Sequence, residues 1–94
     1  MSIKPSHPAE ILKSLWLDEL GYSQSHFVDL LVAASSGLSK KSTMQTKLDE
    51  VISGKRSISA EFAVLISKVL KSSPKMWTNL QVQLDIWEAE EDVA

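Results

Sequence analysis

Ser42-Thr43-Met44-Gln45-Thr46-Lys47-Leu48-Asp49-Glu50-Val51-Ile52-Ser53-Gly54-Lys55-Arg56 carries the pattern that decides the fold. Met44, Leu48, Val51 and Ile52 recur at helical spacing and form one apolar face. Ser42, with Gln45 three residues on, makes a capping box whose side chains satisfy the first free backbone donors, and Gly54 closes the helix. Ser39 is a rival cap that extends the helix backward by about one turn and takes in Lys40 and Lys41. Counted in 100° steps, Thr46, Ser53, Glu50 and Asp49 point outward. Upstream, Ser35-Ser36-Gly37 interrupts the periodicity, and residues 33–43 offer no apolar stripe from which to set a boundary.

Working outward, Ser23 caps a second helix with Phe27, Leu30, Leu31 and Ala34 on its inner face. His7-Pro8-Ala9-Glu10 starts a first helix, with Pro8 preset for the first helical position and Gly21 as its left-handed stop. Its stripe is Ile11, Leu12, Leu15, Trp16 and Leu20, and Leu17 falls outside it. Ser59 caps a fourth helix lined by Phe62, Ala63, Ile66, Val69 and Leu70. Ser73-Pro74 starts a fifth, on which Met76, Trp77, Leu80, Leu84 and Trp87 share about a 100° arc. Val82 and Ile86 lie on the opposite side of that helix, which calls for a second packing partner such as another subunit. No run alternates with the period of a strand, so the expected class is all-α.

Composition narrows the chemistry. A chain of 94 residues with 44% apolar and 23% charged side chains matches one small globular domain, with residues 88–94 an acidic tail. The absence of cysteine excludes disulfides and thiol nucleophiles. Two histidines, His7 and His26, are too few for most zinc sites; His7 reads as an ordinary cap before the first helix and His26 as packing or hydrogen-bonding locally. Gly21, Gly37 and Gly54 form no phosphate-cradling loop, and Asp18 and Glu19, being adjacent, splay to different helix sides. No catalysis, metal or cofactor is therefore expected. Without a secretory signal at residues 1–10, the expected compartment is the cytoplasm. Net charge is −2, but Leu38 to Ser57 holds five bases against two acids, while Leu84 to Ala94 holds five acids and no base. Two surfaces of opposite sign suit two different partners.

His7-Pro8-Ala9-Glu10-Ile11-Leu12, Ser23-Gln24, Gly54-Lys55-Arg56-Ser57-Ile58-Ser59-Ala60 and Ser73-Pro74-Lys75-Met76-Trp77-Thr78-Asn79-Leu80-Gln81 resemble the HigA/VapI family of antitoxins, within the lambda-repressor-like helix-turn-helix class. The resemblance implies a five-helix helix-turn-helix domain. It also implies a homodimer that represses its own operon and neutralises a HigB-type toxin, a ribosome-dependent messenger-RNA endonuclease. By position, Gln24 and Ser25 would meet phosphates, Gln45, Thr46 and Lys47 would enter the major groove, and Lys55 and Arg56 would meet backbone. Lys40 and Lys41 would add attraction, and Val82, Ile86 and Trp87 would form the dimer contact. The partners are then operator DNA, a toxin and a second copy. One departure stands out: 29 residues separate Gln24 from Gly54, a lengthened segment between helices 2 and 3. Either the longer connection moves the third helix off the groove, leaving a module that binds a protein partner without specific DNA binding, or Gly37-Leu38-Ser39 is the turn and both helices are longer than usual.

Overall fold

The computed structural model describes residues 4–37 and 40–93. Five helices follow in order. The first, α1, comprises an α-helical start at Pro8–Ile11, a π-helical stretch at Leu12–Leu17 and an α-helical end at Asp18–Leu20. Then come α2 (Gln24–Ala34), α3 (Lys41–Ile52), α4 (Ala60–Leu70) and α5 (Pro74–Val93). Among the described residues there is no strand, and the class is all-α as expected.

The helix starts follow side-chain chemistry. His7 Nδ1 accepts from the Ala9 amide at 3.0 Å, with Pro8 behind it at the first helical position. Ser23 Oγ accepts from the His26 amide at 3.0 Å and Ser59 Oγ from the Phe62 amide at 3.2 Å. Gly21, at φ 70°, ends α1 with the Tyr22 amide donating to the Leu17 carbonyl at 2.9 Å and its own amide to Asp18 at 3.2 Å.

Met44, Leu48 and Val51 of α3 meet Phe27, Val28 and Leu31 of α2 in the core, and α4 adds Phe62, Ala63 and Ile66. Trp77 of α5 is fully buried, donates from Nε1 to Ser72 Oγ at 2.9 Å and lies 6.2 Å from the Trp16 ring. Trp77 thus buries its ring while its polar atom stays paired.

Three expectations are corrected. On α2 the buried stripe is Phe27, Val28 and Leu31, and Leu30 and Ala34 are only half-buried, because the helix packs on both α3 and α4 and Val28 turns into that junction. On α1, Leu17 is 2% exposed and belongs to the core, whereas Leu15 and Leu20 are 64% and 49% exposed. The π turn is the cause: it accommodates one extra residue per turn, so position 17 stacks over Leu12, and everything after it rotates off the α-helical register. On α3, the helix starts at Lys41 with Lys40 as the cap residue and no side-chain cap bond. Ser42 and Gln45 therefore form no capping box. The Ser42 carbonyl accepts from Thr46 Oγ1 at 3.0 Å, and Gln45 Nε2 donates to Asp49 Oδ1 at 2.9 Å. The rival cap Ser39, with Leu38, lies outside the described residues.

Most of the segment between Gln24 and Gly54 is helical, in the 11 residues of α2 and the 12 of α3. α2 runs to Ala34 and then stops on two successive left-handed residues, Ser36 at φ 59° and Gly37 at φ 75°. The Gly37 amide closes back on the Val32 carbonyl at 3.3 Å. α2 and α3 pack directly on one another, so the longer connection does not part them.

Candidate nucleic-acid interface

Burying Met44, Leu48 and Val51 turns Ser42, Thr46 and Asp49 of α3 and its C-cap Ser53 outward, and all four are exposed. Successive helix residues step by about 100°, so Gln45 and Lys47 flank Thr46 on opposite sides, and both are half-buried. Lys47 turns toward α4, where it lines a groove of about 370 Å³ with Arg56, Ser57, Ser59 and Glu61. Gln24 and Ser25 are the first two residues of α2, Ser25 exposed and Gln24 half-buried. A helix start leaves amides without intrahelical acceptors at the positive end of the dipole, which suits a phosphate oxygen.

Cations frame α3 at both ends. Lys40 and Lys41 are exposed before its first turn, and Lys55 and Arg56 are exposed after its last. The Lys55 and Arg56 amides both donate to the Glu50 carbonyl, at 2.8 and 3.1 Å, around Gly54 at φ 79°. This fold-back holds the two basic residues against the end of the helix.

Three of these donors already have carboxylate partners. Lys41 Nζ is 2.8 Å from Asp29 Oδ1 of α2, and Arg56 Nε donates to Glu50 Oε2 at 2.7 Å. Gln45 is tied to Asp49 in the same way. Asp29 had no role in the sequence reading, because its pairing depends on how α2 lies across α3. Ser42 and Thr43, read there as boundary residues, are exposed in the first helical turn and extend the polar face.

The expected dimer residues divide. Val82 and Ile86 are 50% and 53% exposed on one stripe of α5, continued by the exposed Ala89 and Val93. Trp87 is one step round the helix from Ile86, half-buried, with Lys4 Nζ 5.7 Å from its ring centroid. Among the described residues, no three His, Asp or Glu side chains gather to hold a metal, and no helix is long and apolar enough to cross a membrane.

No protein-family model matches the chain. It is 34% identical over 86 residues to the uncharacterized helix-turn-helix-type transcriptional regulator YddM of Escherichia coli strain K12, a match covering 92% of this chain and 80% of that one. An addiction module antidote protein of a HigA family from Coxiella burnetii has a similar structure, with a TM-score of 0.77 at 26% identity over 96% of this chain and 87% of that one. The Pseudomonas aeruginosa antitoxin HigA, solved with the higBA promoter, gives a TM-score of 0.75 at 25% identity over 94% and 85% of the two chains. These are antitoxins and transcriptional regulators, which are not enzymes.

Proposed function

The chain belongs to the helix-turn-helix family of antitoxins and transcriptional regulators, and from that premise we propose that it is a cytoplasmic antitoxin that binds operator DNA as a homodimer and represses its own operon. The observation that carries this reading is the polar outer face of α3, framed by Lys40 and Lys41 at one end and Lys55 and Arg56 at the other. Twelve residues give α3 a length of about 18 Å, enough to lie in a major groove with cations reaching the phosphate rows on either side. Thr46 leads toward the base edges, with Gln45 and Lys47 beside it. Gln24 and Ser25 meet a phosphate at the start of α2, and Lys40, Lys41, Lys55 and Arg56 meet others. Residues 1–94 act as one domain. Val82 and Ile86, with Trp87 at the edge, form the contact between two copies, which sets two α3 helices about one duplex turn apart on a palindrome. The second partner is a HigB-type messenger-RNA endonuclease, neutralised by binding.

The test is a titration of the purified chain with duplex taken from upstream of its own gene, read alongside its mass in solution. Two protomers per duplex and a loss of affinity with salt of about 0.9 in slope per phosphate contact are expected. No shift at low salt rejects the repressor. Co-purification with the product of an adjacent small basic reading frame tests the antitoxin half.

A second reading, a partner-binding module without specific DNA binding, draws on the acidic residues of the same surface, since Asp49 is exposed on the outer face of α3. The same titration separates the two.

A further inference from the structure

We propose that Asp29 and Glu50 restrain the sequence-independent binding of duplex by holding Lys41 and Arg56 in ion pairs that a phosphate must displace. The inference rests on the operator-binding reading and adds to it a role for two carboxylates. Lys41 Nζ lies 2.8 Å from Asp29 Oδ1, and Arg56 Nε lies 2.7 Å from Glu50 Oε2. Both pairs are reachable by solvent, with side chains 56% and 54% exposed in the first and 48% and 36% in the second. They sit at opposite ends of α3, where the cations that frame the proposed groove contact are found.

Phosphate attraction supplies nearly all of the affinity for DNA of arbitrary sequence. A carboxylate within hydrogen-bonding distance of a cation subtracts from that attraction, because the phosphate gains the cation only after the first pair breaks. Exposed pairs at these distances shift an equilibrium by up to about five-fold, enough to restrain binding and too little to prevent it. The partners come from different places, Asp29 from the middle of α2 and Glu50 from α3 itself. The two bases therefore lose their free charge independently. Lys40 and Lys55, exposed beside them, form no ion pair among the described residues and supply the first attraction.

The experiment measures the full chain and its Asp29→Asn, Glu50→Gln and Asp29→Glu variants against operator-containing duplex and a random duplex over a range of salt. Each neutral variant is expected to bind random duplex about two- to five-fold tighter, with a salt slope steeper by about one per protomer. Asp29→Glu is expected to return to the wild-type value, and thermal melts are expected to stay unchanged for all variants. Unchanged random-duplex affinity in both neutral variants overturns the inference. A fall in affinity for Asp29→Asn also overturns it, making the pair a strap that orients α3. Operator binding by the wild type with no gain in the variants removes this inference alone. Failure of every protein to bind either duplex at low salt removes the operator-binding reading as well.

Discussion

The Ile58 amide donates to Gln81 Oε1 at 2.9 Å across a sequence separation of 23 residues, in a buried setting, and Gln81 Nε2 donates on to Asp85 Oδ1 at 2.9 Å. This amide ties the segment after α3, which carries Lys55 and Arg56, to the middle of α5. Removing the side chain leaves a buried N–H without an acceptor, which costs about 1–3 kcal/mol. Gln81→Met is therefore expected to lower unfolding free energy by that amount in urea denaturation. Asp85 is exposed, so Asp85→Ala is expected to stay within about 0.5 kcal/mol. Equal losses for the two would show that the Ile58 bond is not the stabilising contact.

The π turn in α1 makes a prediction that α-helical counting reverses. Leu17 is core and Leu15 is solvent-facing. Leu17→Ala is expected to cost about 2–5 kcal/mol, the range for emptying a buried leucine site, while Leu15→Ala stays within about 0.5 kcal/mol. Thermal melts of the two variants check it, and a larger loss for Leu15 would return the helix to a regular register.

What was readable from the sequence was whatever depends on neighbours a few residues away. α2 and α4 begin at Ser23 and Ser59 because a hydroxyl there meets an amide three residues on. The α4 stripe fills the core as counted, whereas on α2 Val28 joins Phe27 and Leu31 in place of Leu30 and Ala34. Leu17 escaped because its burial depends on an inserted residue per turn, which no local apolar pattern announces. The start of α3 escaped for the opposite reason, since Lys40 provides no cap bond and the apolar stripe begins only at Met44. At the interface, the bases were legible as a charge excess. Their carboxylate partner Asp29 sits on another helix, and Gln81 reaches an amide far back in the chain, so both needed the packed structure.

Capping chemistry gives a third prediction. Ser23 and Ser59 each accept from a first-turn amide, so Ser23→Ala and Ser59→Ala are expected to cost about 1 kcal/mol apiece in chemical denaturation. Ser42→Ala is expected to change stability by a few tenths of a kcal/mol, because that residue lies inside the helix and only its carbonyl is engaged. A loss at Ser42 comparable to the other two would restore the capping box.

The last prediction concerns the outer stripe of α5. Val82 and Ile86 expose about half of their surface on a helix whose inner side is already filled by Trp77, Gln81 and Leu84. If two copies meet there, each side chain completes its burial in the partner, and twofold symmetry counts every contact twice. Half the transfer energy of a buried valine or isoleucine is about 1 kcal/mol, so four such side chains contribute about 4 kcal/mol to association. Glutamate at both positions removes that contribution and sets like charges face to face. Val82→Glu with Ile86→Glu is therefore expected to weaken self-association at least about a hundredfold by sedimentation equilibrium. Helical circular dichroism is expected to be unchanged, because neither residue touches the core. Operator binding is expected to fall with the dimer, since one protomer engages only half of a palindrome. A double variant that still sediments as a dimer would move the contact elsewhere on the molecule.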